Sequence, residues 1–142
     1  VVDEVHRQGG WINKFQGDAT LAVFGAPAAV DDAAARALAA ARAIARRLPE
    51  DVGELSAGVG VAFGTVVAGQ VGHENRFEFT VIGDPVNEAS RLTELSKTFE
   101  PMVLASSTAV RAAGVFEGSL WRSAGHAELR GRSRETELFR PV

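Results

Sequence analysis

The sequence contains no cysteine. That excludes disulfides, thiolate metal sites and cysteine nucleophiles, and it agrees with a reducing compartment such as the cytosol. No apolar run approaches the ~20 residues that a membrane helix needs. No stretch has the pattern of a signal peptide. Positive charge is not in excess: the formal net charge is −3, so no basic field favours a nucleic-acid backbone. Repeats, linkers and low-complexity segments are missing apart from one alanine-rich stretch. What is present is apolar content of 46% spread over 142 residues, enough for one domain with a real core and too much for a disordered chain.

Residues Val1 to Gln8 carry valines at helical spacing, and Gly9-Gly10 stops the helix. Trp11 to Gln16 and Ala19 to Phe24 read as two strands joined by a tight turn at Gly17-Asp18, with imperfect alternation in the first. Asp31 to Leu48 reads as a helix with Ala34, Leu38, Ala41, Ile44, Ala45 and Leu48 inward. Asp31 and Asp32 are expected at its positive end, Arg46 and Arg47 at its negative end, and Pro49 just beyond it.

Leu55 to Phe63 and Thr65 to Val71 read as a glycine-rich strand pair around Gly64, followed by a polar loop from Gly72 to Arg76 that exposes His73. Gly58 and Gly60 are not a dinucleotide fingerprint, because no helix follows them to meet a pyrophosphate. They suit the close approach of a strand, a helix or a partner chain. Met102 to Ala105 is a short strand. Ser106 or Ser107 caps a helix that runs to Ala113 and ends at Gly114. Trp121 to Leu129 and Glu135 to Phe139 are closing strands. Hairpins without βαβ regularity predict an α+β sandwich, a mostly antiparallel sheet with helices on one face.

The most informative stretch is Phe79 to Leu92. Phe77, Phe79 and Val81 alternate with polar residues as in a half-buried strand, Gly83 permits a sharp turn, Asp84 suits a helix cap and Pro85 a first helical position. Ala89, Leu92 and Phe99 form an apolar stripe on the helix, while Asn87 and Arg91, four apart, share another face. An amide and a guanidinium so placed suit a sugar and a phosphate. Spacing alone equally describes a solvated polar stripe.

Thr80-Val-Ile-Gly-Asp-Pro-Val-Asn87-Glu-Ala-Ser-Arg91 resembles the signature of the class III nucleotidyl (adenylate/guanylate) cyclases of the bacterial type. Lys14-Phe-Gln-Gly-Asp18 resembles the family's Lys-x-x-Gly-Asp hairpin. Gly58-Val-Gly-Val-Ala-Phe-Gly64, running on to Val71-Gly72, resembles its central strands. The order and spacing of the three motifs agree with the family across essentially the whole chain.

The resemblance implies a ferredoxin-like class III cyclase fold. Residues 1–142 are expected to form a single catalytic domain that is N-terminally incomplete, because the family's first strand is missing from the sequence. The implied reaction converts ATP to 3′,5′-cyclic AMP and pyrophosphate. Asn87 would orient the ribose and Arg91 would meet charge on the phosphorus. Lys14 and Thr80 would read the base, and Arg130 in the closing hairpin would reach the phosphates, with Arg132 in reserve. Asp18 would bind Mg2+ or Mn2+ in a two-metal site whose other aspartate belongs to the missing strand.

Each role has a plainer counterpart: a turn residue for Asp18, a solvated strand lysine for Lys14, a solvated turn for Arg130 to Arg134. The implied partners are ATP and a second copy of the chain, which form composite sites as a homodimer, and a membrane or sensor domain upstream. The implied location is cytoplasmic, alone or as the cytosolic part of a membrane protein. Three other readings stand beside this one: a catalytically inactive nucleotide-binding or regulatory domain, motivated by the missing aspartate; a guanylate cyclase, because Thr80 stands where the adenylate pattern usually has Asp; and a non-enzymatic protein-interaction domain.

Overall fold

The computed structural model describes residues 1–16, 19–52, 57–73, 76–129 and 135–142. The chain opens with helix α1 (Val2–Arg7), which breaks at Gly9, where φ is +84°. Strands β1 (Trp11–Gln16) and β2 (Ala19–Val23) follow as an antiparallel pair. Trp11 faces Val23 and Ile12 faces Ala22, but Lys14 faces Leu21, so Asn13 is an extra residue on β1. This β-bulge is the physical source of the imperfect alternation in that strand.

Helix α2 (Ala33–Val52) buries Ala34, Leu38, Ala41 and Ile44 as expected, and Ala40 as well. Its ends differ from the expectation. Asp31 and Asp32 precede the first turn, and Asp32 adopts a positive φ of 56°, which Asp tolerates better than most residues. The Asp32 carbonyl accepts the first helical bond from the Arg36 amide at 2.9 Å. At the other end α2 continues past Pro49 to Val52, so Arg46 and Arg47 are not in its last turn. Proline removes one donor and one helical bond, a penalty rather than a prohibition, and helical backbone resumes beyond it.

Strand β3 (Val59–Val61) is followed by β4 (Val67–His73), β5 (Arg76–Ile82), helix α3 (Asp84–Ser96) and β6 (Val103–Ser106). The expected pairing of the two glycine-rich segments does not form. β3 pairs in parallel with β6, and β4 pairs with β5 from Val67↔Ile82 to His73↔Arg76. Gly72, His73 and Arg76 therefore belong to strands, not to a loop. The side chain of His73 lies outside the described residues.

The reason is helix packing. A Cβ on Gly58 would lie 2.3 Å from the Thr93 carbonyl oxygen, and one on Gly60 2.5 Å from that of Ala89. These glycines let α3 lie directly on β3, which ties β3 into the central sheet and leaves β4 to pair with β5.

Gly83, not Asp84, occupies the N-cap of α3, and no side chain caps that end. Its φ is +157°, and a Cβ there would lie 3.1 Å from the Thr65 carbonyl oxygen, so the turn requires glycine. Ser106 caps helix α4 (Ser107–Ala112), its Oγ accepting from the Ala109 amide at 3.3 Å. Gly114, expected to end that helix, instead opens a second one, α5 (Gly114–Gly118), after a kink at φ +84°. Strands β7 (Trp121–Glu128) and β8 (Glu135–Pro141) close the chain.

The described strands form a four-stranded sheet ordered β3-β6-β8-β7, parallel only between β3 and β6, and two separate antiparallel pairs, β1-β2 and β4-β5. Helices cover both faces of the larger sheet, not one. Val103 and Ala105 pack with Leu38 and Ala41 of α2 and with Ala109, Val110 and Trp121. Leu104, pointing the other way, packs with Leu92 of α3, Leu129 and Leu138. The Val-Leu-Ala-Ser run of β6 is buried at every position, as expected for a strand covered on both sides. On the α2 side, Arg42 donates from Nε and Nη2 to the two Glu117 carboxylate oxygens at 2.8 Å each, and Trp121 Nε1 donates to Oε1 at 3.1 Å. No described helix is long and apolar enough to cross a membrane.

Candidate functional site

The turn at Gly83 sets the geometry of the candidate site. It joins β5, which carries Thr80, to α3, which carries Asn87 and Arg91. Along α3 the positions turned to β3 and the core are Ala89, Leu92, Thr93 and Ser96. At 100° per residue, Asn87 and Arg91 fall on the opposite side, and both are exposed. Leu92 and Ser96 are fully buried, so α3 cannot rotate to hide the Asn87–Arg91 face. Arg91 makes no hydrogen bond or ion pair among the described residues, and Glu94, three residues on, is taken by Lys97 at 3.3 Å. The guanidinium fork is therefore available to an anion.

Thr80 is half-buried on β5, directly opposite Gly69 of β4. A Cβ at Gly69 would meet nothing within 4 Å, which leaves open space beside Thr80. Lys14 is half-buried on β1, immediately after the bulge. The two strands share no ladder, yet they meet. Asn13 Nδ2 donates to the Phe79 carbonyl at 3.0 Å, and the rings of Trp11 and Phe79 pack edge to face with centroids 5.5 Å apart. Lys14 and Thr80 are each one residue beyond that bond.

Four of the six expected site residues thus fall on two surfaces flanking the Gly83 turn. Asp18 and Arg130 lie outside the described residues, as does Arg132. Among the described residues no group of three or more His, Asp or Glu side chains could hold a metal ion, so those residues alone do not fit a metal centre. Asn13 and Gly69 were not singled out by their types. The signal for Asn13 was the break in strand alternation, joined to a residue that strands disfavour.

This architecture, a turn that presents a polar helix face beside a strand pair, is that of nucleotidyl cyclase catalytic domains. Residues 7–139 match the adenylate and guanylate cyclase catalytic domain family, and the chain belongs to it. It is 52% identical over all of its 142 residues to the uncharacterized protein Rv1318c of Mycobacterium tuberculosis, and it spans only 26% of that protein's length. The guanylate cyclase domain of RhGC from Catenaria anguillulae, solved in complex with GTP, superposes with a TM-score of 0.78 at 26% identity, over 96% of this chain and 74% of that one. The catalytic core of a rhodopsin-guanylyl cyclase with converted specificity, in complex with ATPαS, gives a TM-score of 0.78 at 26% identity, over 99% and 76%.

Proposed function

We propose that the chain is an adenylate cyclase domain that converts ATP to 3′,5′-cyclic AMP and pyrophosphate. The observation that carries this reading is the outward face of α3, where Asn87 and Arg91, which has no partner among the described residues, stand across the Gly83 turn from Thr80. In the reaction the ribose 3′-oxygen attacks the α-phosphorus in line and loses its proton. The bond from the α-phosphorus to the bridging oxygen breaks, and pyrophosphate leaves. Asn87 holds the ribose so that the 3′-oxygen is aligned. Arg91 places two N–H groups against the charge that grows on the phosphoryl oxygens.

Lys14 can only donate, which suits the acceptor nitrogen of the adenine ring. The Thr80 hydroxyl can accept from the adenine amino group. Arg130 is assigned to the phosphates. Asp18 is assigned as a carboxylate ligand of Mg2+ or Mn2+, since hard cations prefer oxygen. Because Asn87 and Arg91 point away from their own core, the site is proposed to close between two copies of the chain, each supplying one half to two equivalent sites.

Guanylate cyclase activity is the second reading. It is favoured by the guanylyl cyclases among the similar structures and by the Thr80 hydroxyl, which donates as readily as it accepts. The test is formation of cyclic AMP and cyclic GMP from Mn-ATP and Mn-GTP by this protein, with Asn87→Ala in parallel. Cyclic AMP as the main product, with Asn87→Ala lowering turnover more than affinity, is the expected result. No cyclic product from either nucleotide, or full turnover in the variant, refutes the reading.

A further inference from the structure

We propose that Asn13 is a positioning residue for base recognition, strapping the β1 bulge to β5 so that Lys14 and Thr80 address the same purine edge. The inference rests on the adenylate cyclase reading and deepens it. The two base readers sit on different strand pairs, and no backbone ladder joins those pairs. Their separation therefore depends on side chains. One hydrogen bond crosses the gap among the described residues, from Asn13 Nδ2 to the Phe79 carbonyl at 3.0 Å, and Phe79 directly precedes Thr80.

Asn13 occupies the bulge, where the extra residue turns a side chain out of the regular alternation. The edge-to-face contact of Trp11 with Phe79 holds the same junction from one side. It fixes the distance between the strands, whereas the amide bond fixes their sliding. The arrangement carries a cost: Asn13 Oδ1 is buried with no partner among the described residues, which an apolar residue would avoid. Stability alone does not account for an amide there, whereas the need to register two strands that share no ladder does.

The test has two parts. In the free protein the Asn13 side-chain amide protons are expected to exchange with solvent more slowly than those of exposed Asn87, because among the described residues only the former are bonded. Equal exchange overturns the strap. The ratio of kcat/KM for ATP to that for GTP is then measured in the natural protein and in Asn13→Ala, Lys14→Ala and the double variant. Asn13→Ala is expected to lower the ratio about tenfold, mainly through KM, as for a lost polar discriminator. The double variant is expected to be no worse than Lys14→Ala alone, because the strap acts through Lys14.

Independent, additive losses, or an unchanged ratio, overturn the proposal while leaving the cyclase reading intact. If Asn13→Ala does not fold, Asn13→Asp serves: it keeps the shape but cannot donate, and retained selectivity in it refutes the bond's role. A parent protein that makes no cyclic nucleotide fails the functional reading instead. Discrimination is then read from the melting-temperature shift with ATP against GTP, and equal shifts in parent and variant overturn the strap as well.

Discussion

The four-stranded sheet with its helices and the two smaller strand pairs are built on different principles. In the sheet, β6 is buried on both faces, Leu92, Val103, Leu104 and Ala105 have no exposure, and glycines at 58 and 60 bring α3 onto the backbone. The strand pairs expose apolar side chains instead: Phe15 on β1 is 67% exposed, Val67 on β4 72% and Ile82 on β5 59%. The first region is held by packing that leaves no freedom. In the second, the two pairs meet each other through Trp11 and Asn13 at Phe79, and they carry the groups assigned to the base. The difference teaches that this fold separates its packed core from the surfaces proposed for recognition, and that α3 belongs to both, buried on one side and exposed on the other.

That separation can be broken from either side. The largest effect is expected at the buried side of α3. Leu92→Ala should cost about 2–5 kcal/mol of unfolding free energy, through lost transfer energy and a cavity beside Leu104 and Leu138, read by chemical denaturation. One residue away, Arg91→Ala should leave the melting temperature unchanged while lowering turnover about 10²–10³-fold, the usual cost of removing a group that meets transition-state charge. Arg91→Lys should be nearly as severe, because an ammonium lacks the planar fork. A joint loss of stability and turnover at Arg91 would show that the two faces of α3 are not independent.

Gly60→Ala should destabilise by about 1–3 kcal/mol, because the new methyl meets the Ala89 carbonyl at 2.5 Å. The same change at Gly69, where a Cβ meets nothing, should leave stability near that of the parent.

The smallest expected effect is electrostatic and lies at the junction of α1 and α2. There Glu4 Oε1 accepts from Arg47 Nη1 at 2.8 Å and also from Arg7. The Arg47 bond holds the Glu4 carboxyl below the usual carboxylate range, against the opposing effect of burial. A depressed folded-state value means that the contribution is complete above the unfolded carboxylate range and is lost as pH falls through the folded value. Glu4→Gln should therefore flatten the acid limb of the stability profile and leave the neutral and alkaline limbs parallel to the parent.

Much of the fold was legible because local rules agreed with it. The strand–turn–helix from Phe79 to Leu92, the inward stripe of α2 and the Ser106 cap all follow from spacing and side-chain chemistry within a few residues. The local errors concern helix ends, at Pro49, Gly83 and Gly114, whereas the larger ones share another cause. The pairing of β3 with β6 and the placing of helices on both sheet faces depend on partners far away in the chain. A strand's residues state that it is a strand and which faces are apolar; they do not name its neighbour.

The candidate site divides in the same way. The sequence by itself determined the residue types at 14, 80, 87 and 91 and put Asn87 and Arg91 on one helix face, because that needs only the helical period. Only the tertiary structure decided that this face is the exposed one, since that required β3 to occupy the other side through two glycines. It also decided that Lys14 and Thr80 lie at a common junction, because Asn13 reaches across 66 positions of sequence to a carbonyl that no local rule could choose.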